Sequence, residues 1–222
     1  MKLYRIPQGA TALLFDVDGT LYSNADYAKH QSDVLVHQLA TTRGWSISKA
    51  ESEIARSKAA IFETSGKKTS MGSAMAALGV NTATSIQWRT LLIKPDLFLK
   101  PDMRLRAALQ QLATAGFSLA VVTNNPRAIA LATLEALGVA DLFPVRVCLD
   151  DTHVSKPAPQ PYLEAARLCG AQPSACVSIG DRYDVDLAEP LALGMGAVLV
   201  DGVQDLYALP DMLLAETGNH HA

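Results

Sequence analysis

Ala12-Leu13-Leu14-Phe15-Asp16-Val17-Asp18-Gly19-Thr20-Leu21-Tyr22 is the stretch on which the reading of this chain turns. Ala12–Phe15 is an apolar run without polar alternation, the pattern of a strand covered on both faces, as in a parallel sheet. Two aspartates, a glycine and a threonine follow at once. Open α/β sheets bind ligands beyond the carboxyl ends of their strands, so this stretch predicts both the sheet and the rim where its chemistry sits.

Working outward, Ser118–Val122, Cys176–Ile179 and Ala197–Val200 repeat the pattern, and Val145–Leu149 is a weaker fifth candidate. Helical spacing separates them. Leu105, Ala108, Leu109 and Leu112 share a face that ends at Gly116, Ala128–Leu137 follows Pro126, and Pro161–Cys169 and Leu187–Leu193 each stop at a glycine. This alternation predicts a doubly wound α/β fold with a parallel, Rossmann-like sheet and right-handed crossovers. Residues 23–96 contain helical patterns and no convincing strand, too long a block for an ordinary βα connection. They are expected to form a small all-helical cap domain, with residues 1–22 and 97–222 forming the core domain.

Composition narrows the partners. Among 222 residues, 19 Lys+Arg against 22 Asp+Glu give a net charge of −3, which argues against nucleic-acid binding through bulk positive charge and against a polybasic membrane anchor. The three cysteines, Cys148, Cys169 and Cys176, lack metal-site or disulfide spacing. No secretory leader and no apolar stretch of spanning length is visible, so a cytoplasmic protein with no membrane association, a monomer or homodimer, is the expectation.

The polar residues at the strand ends carry the chemistry. Asp16, Asp18, Thr123 and Asp181, with Asp184 and Asp186 after it and Lys156 ahead of a helix, are predicted to meet at one rim. Crowded carboxylates repel unless a cation neutralises them, and all-oxygen ligands suit Mg²⁺, which also bridges to phosphate. Asp16 is then the natural nucleophile on phosphorus, and Asp18 can protonate the leaving oxygen and afterwards activate water. The threonine hydroxyl and the lysine would hold phosphate oxygens. Taken singly, each group also has an ordinary reading: a capped turn for the two aspartates, an N-cap for Thr123-Asn124-Asn125-Pro126, a solvated lysine beside a turn proline, a strand-to-helix bend at Gly180-Asp181. Their order and their places at predicted element edges favour the joint reading.

These residues resemble the haloacid dehalogenase superfamily of phosphohydrolases. The first motif is Leu13–Tyr22, the second Val121-Val122-Thr123-Asn124, the third Lys156-Pro157 and the fourth Gly180-Asp181 through Asp186. The resemblance implies that Asp16 accepts the phosphoryl group and binds Mg²⁺, that Asp18 contributes its backbone carbonyl to the metal, and that Asp181 completes the metal site. It implies that Asp186 supports the metal shell or orients Lys156. Gly19, Thr20, Thr123, Asn124 and Lys156 are the expected phosphate contacts. Dehalogenases of the superfamily lack a carboxylate two residues after the nucleophile, so Asp18 favours phosphoester chemistry. Thr20-Leu21-Tyr22 and Leu99-Lys100-Pro101-Asp102 are similar to the pyrimidine 5′-nucleotidase-like branch, whereas Ser65–Gly72 departs from its cap motif.

The expected activity is hydrolysis of a small phosphorylated metabolite, of nucleoside or sugar monophosphate type, through an aspartyl-phosphate. A phosphomutase and a non-catalytic phosphate-binding regulator are the alternatives. Lys67 and Lys68 of the helical block are the preferred contacts for the leaving group, with Tyr22, Tyr27, His30, Lys58 and Phe62 as further candidates.

Overall fold

The computed structural model describes residues 1–66 and 69–218. Its sheet contains β1 (Lys2–Arg5), β2 (Ala12–Phe15), β3 (Ser118–Val122), β4 (Val145–Val147), β5 (Cys176–Gly180) and β6 (Gly196–Leu199). They lie in the order β1-β6-β5-β2-β3-β4. β2 is central, with β5 and β3 as parallel neighbours, and all four of its side chains are buried. Leu13 and Phe15 face one apolar layer, and Ala12 and Leu14 face the other. Apolar contact on both faces is why this strand reads as an unbroken hydrophobic run.

Among the described residues, the stretch from Asn24 to Ile93 that follows β2 holds four helices: α1 (Ala25–Arg43), α2 (Ile47–Ser65), α3 (Met71–Ala77) and α4 (Thr82–Leu92). The side chains of Asn24, Ser46, Ser70 and Asn81 accept the backbone N–H three residues on, fixing where each helix begins. The helices bury Leu35, Leu39, Ala50, Ile54, Met75 and Trp88 in a cluster of their own, separate from the two layers that flank the sheet. Val34 packs against this cluster and against the sheet layer, linking the two.

The remaining helices are α5 (Met103–Thr114), α6 (Arg127–Ala136), α7 (Leu149–Thr152), α8 (Gln160–Leu168), α9 (Ala188–Ala192), α10 (Val203–Leu206) and α11 (Leu209–Gly218). Three details differ from the sequence-based expectation. β1 is an additional edge strand, antiparallel to β6; Lys2, Tyr4 and Arg5 stay exposed, so no apolar run marks it. The expected strand Val145–Leu149 stops at Val147, because Cys148 starts α7 and its N–H donates to Asp151 Oδ2 at 2.7 Å. The helix expected over Leu187–Leu193 is preceded by a single wide π turn, Tyr183–Leu187, which carries Asp186. Among the described residues, no helix is long and apolar enough to cross a membrane.

Candidate active site

The register pairs Phe15 with Val121 on one side and with Ile179 on the other, so the three central strands end together. Their next polar residues therefore share one rim. Asp16 follows β2, Thr123 follows β3 and Asp181 follows β5. Lys156 enters from the loop between α7 and α8, and Asp186 comes from the π turn. Interrupted helical geometry of this kind recurs at functional sites.

Lys156 lies between two carboxylates: its Nζ donates to Asp16 Oδ1 at 2.6 Å and to Asp186 Oδ1 at 2.7 Å. All three residues are at least 96 % buried. Ser178 Oγ donates to the Asp186 carbonyl at 2.8 Å, and the Arg182 N–H donates to Asp186 Oδ2 at 3.1 Å, which fixes the π turn. Asn124 clamps the lysine backbone, its Oδ1 accepting from Lys156 N at 2.6 Å and its Nδ2 donating to Lys156 O at 3.1 Å. The Asn124 amide is thus engaged with the loop that carries the lysine.

Thr20 and Thr123 are buried at the same rim. Thr20 Oγ1 donates to Asp16 Oδ2 at a long 3.4 Å. Thr123 Oγ1 accepts the Asn125 N–H at 3.1 Å, leaving its own proton for another acceptor. Gly19 has a left-handed φ of +81°, and a Cβ there would lie 2.6 Å from Asp181 Oδ2. Gly180 is equally constrained, since its Cβ would fall 2.4 Å from that of Asp186. Gly19→Ala is therefore expected to lose about 1–2 kcal/mol of stability from the backbone alone. It should also displace the Asp181 carboxylate; a melting temperature equal to that of wild type would refute the strain.

Carboxylate oxygens of Asp16, Asp181 and Asp186 lie within 4.8 Å of one another, and Asp181 Oδ1 is buried without a hydrogen-bond partner. Burial pushes the Asp16 carboxyl up to about 7, with Asp186 and Asp18 adding to the effect and Lys156 opposing it. Burial, then Asp186, raises Asp181 to about 6. Burial works against charge on Lys156, yet Asp16 and Asp186 outweigh it and hold its pKa above the ordinary lysine value. One lysine shared by crowded carboxylates, beside a buried carboxylate oxygen that accepts no hydrogen bond and faces Arg182 Nε only at 3.7 Å, fits a hard divalent cation with oxygen ligands.

The Asp18 carboxylate points away from this cluster, toward the helical insertion. Its Oδ2 accepts from Asn125 Nδ2 at 2.7 Å, and its Oδ1 accepts from Gln31 Nε2 at 2.9 Å and from the Tyr22 hydroxyl. Arg89 Nη1 in turn donates to Asn125 Oδ1 at 2.7 Å. Asp18, Gly19, Asn124, Asp181, Arg89 and Arg182 are among the residues lining one cleft of about 350 Å³.

Of the further candidates, only Tyr22 reaches Asp18. Tyr27 is wholly buried, with its hydroxyl against Thr133 Oγ1 at 3.2 Å, and His30 packs on the Phe98 ring. Lys58 is not among the cleft-lining residues, and Phe62 is half exposed on α2. Lys67 and Lys68 lie outside the described residues. Sequence pattern does not single out Gln31 or Arg89, and it marks Asn125 only as part of Thr123-Asn124-Asn125-Pro126. For Arg89 a signal existed: it shares a buried helix face with Ser85 and Trp88.

The profile of the haloacid dehalogenase-like hydrolase family matches residues 10–194. The chain is 27 % identical to a glyceraldehyde 3-phosphate phosphatase of Methanopyrus kandleri over 194 residues, covering 85 % of this chain and 83 % of that protein. It is 28 % identical to a phosphoglycolate phosphatase of Pectobacterium atrosepticum, covering 89 % and 91 %. In fold it is similar to a HAD phosphatase from Thermococcus onnurineus, with a TM-score of 0.62 at 22 % identity over 91 % of this chain and 97 % of the other. With its sheet, its rim and its match across residues 10–194, the chain belongs to the haloacid dehalogenase-like hydrolases and is an enzyme of that family.

Proposed function

We propose that this enzyme is a Mg²⁺-dependent phosphatase of small phosphorylated metabolites that works through an aspartyl-phosphate on Asp16. The observation that carries the reading is the convergence on Asp16, which is buried at the end of the central strand, bonded to Lys156, and within reach of two further carboxylates. The two phosphatase relatives support it.

In this reading Asp16 and Asp181, with the Asp18 main-chain carbonyl, would hold the ion, and Asp186 keeps Lys156 in place. The bound ion supplies charge neutralisation around the phosphoryl group. Asp16 attacks phosphorus with one carboxylate oxygen, the ester P–O bond breaks, and Asp18 gives its proton to the departing oxygen. Asp18, now a carboxylate, takes a proton from water. That water attacks phosphorus, the acyl-phosphate P–O bond breaks, and inorganic phosphate leaves with Asp16 restored. Lys156 and the Thr123 hydroxyl stabilise charge on the non-bridging oxygens in both steps. Residues 23–96 act as the cap that encloses the leaving group and limits water.

A panel of phosphate monoesters assayed with Mg²⁺ and with EDTA tests this. Phosphate release that depends on Mg²⁺ is expected, and an absence of hydrolysis across the panel would overturn the assignment. Stability carries a second test. Asp16 and Asp181 bind protons more tightly when folded, rising from 3.8 to about 7 and about 6. The chelated protein should therefore lose stability as pH climbs through that window, because the native state must release protons it favours. Mg²⁺ competes with those protons, so its gain in Tm should be larger at about pH 7.5 than at about pH 5. An equal gain at both would contradict metal binding by these carboxylates.

A further inference from the structure

Arg89 has an unusual position for a guanidinium. It lies on α4 in the helical insertion, only 8 % exposed, yet it lines the cleft that also holds Asp18, Gly19 and Asp181. Its hydrogen-bond partners are neutral: Asn125 Oδ1 at 2.7 Å and Ser85 Oγ at 3.4 Å. Among the described residues it makes no ion pair. Arg182, lining the same cleft, already faces Asp181 and Asp186 at 3.7 and 3.9 Å. Asp18, the nearby acid, has both oxygens taken up by Asn125, Gln31 and Tyr22.

A desolvated cation is costly to leave without an anion, and a guanidinium cannot shed its charge as a lysine can. Only part of the donor fork of Arg89 is engaged, and a planar fork matches the oxygens of a carboxylate or a phosphate. The volume of about 350 Å³ suits a small metabolite. With its phosphoryl group at Asp16 and its leaving oxygen at Asp18, the rest of such a molecule extends toward the insertion. We infer that the substrate carries a second oxyanion on its leaving group and that Arg89 binds that oxyanion, making it a specificity-determining residue. This deepens, and rests on, the phosphatase reading above.

Three esters separate the possibilities: 2-phosphoglycolate with a carboxylate, ethane-1,2-diol bisphosphate with a second phosphate, and 2-hydroxyethyl phosphate with an uncharged end. The wild-type enzyme should favour at least one charged ester by roughly a hundredfold in kcat/KM, the scale of a buried charge pair. The ester with the larger preference identifies the anion. Arg89→Gln should bring that ratio close to one, and Arg89→Lys should restore part of it. If Arg89 serves only to hold Asn125, Arg89→Gln slows all three esters alike and the ratio persists, which overturns the inference. A wild-type enzyme that hydrolyses all three equally also overturns it and leaves the phosphatase reading standing. If none is hydrolysed, the phosphatase reading fails only when the wider monoester panel is silent as well. Calorimetric titration of wild type and Arg89→Gln with 2-phosphoglycolate, ethane-1,2-diol bisphosphate and 2-hydroxyethyl phosphate then decides: weaker binding of a charged ester in the variant sustains anion recognition, and unchanged affinities reject it.

Discussion

Asp16→Asn should reduce Mg²⁺-dependent phosphate release by roughly four to six orders of magnitude, the scale seen when a covalent nucleophile is removed. The amide cannot attack phosphorus, yet it has nearly the same shape and retains an oxygen to accept from Lys156. The fold should therefore survive. Removing one charge from a crowded group should, if anything, favour the chelated protein: its melting temperature at about pH 8 is expected to equal or exceed that of wild type, because burial already disfavours ionised Asp16. Phosphate release and a thermal melt on the same preparation check both halves. Full activity in this variant would remove Asp16 from the chemistry, and a collapsed melt would show that the loss was structural.

Lys156→Met has the opposite balance, harming fold and activity together. The ammonium bridges Asp16 and Asp186 at 2.6 and 2.7 Å. Replacing it with an apolar chain of similar length leaves two buried carboxylates facing each other, a change expected to cost about 3–5 kcal/mol. The sign with pH follows from the protons. The folded pKa of Lys156 is raised, so its contribution is complete throughout the neutral range and would be lost only as pH rises above the ordinary lysine value. In the variant the exposed weakness is Asp16, already pushed up by burial and now without its cation, and its protonation relieves the strain. The deficit should thus be small at about pH 5 and grow toward pH 8. Chemical denaturation at the two pH values, alongside phosphate release, measures it; a deficit independent of pH would mean that Asp16 does not depend on the lysine for its charge.

The legible parts of this molecule are those where local pattern and global environment agree. Ala12–Phe15 reads as a central strand because both of its faces are buried, and the polar residues after it announce a rim. Lys2–Arg5 escapes such reading because an edge strand pairs on one side only and keeps its side chains in solvent. Val145–Leu149 was extended too far since Cys148 and Leu149 are buried as the start of a helix, and burial alone does not distinguish the two. At the site, Asp16, Lys156 and Asp181 stand beside glycine, proline and strand ends, which mark position along the chain. Gln31 and Arg89 carry no such markers. Helical spacing can say which face Arg89 occupies, but only the docking of α4 against α6 brings it to Asn125.

The bonds that assemble this rim span long stretches of chain: 140 residues between Lys156 and Asp16, 107 between Asn125 and Asp18, 36 between Arg89 and Asn125. Each closes a large loop, and such closures form slowly because chain entropy must be surrendered before the contact is gained. In the proposed mechanism, competence therefore waits until the stretch from Asp16 to Asp186 has been assembled as a whole. Recovery of turnover after dilution from denaturant will report the arrival of the final tertiary contacts, well after helical signal has returned.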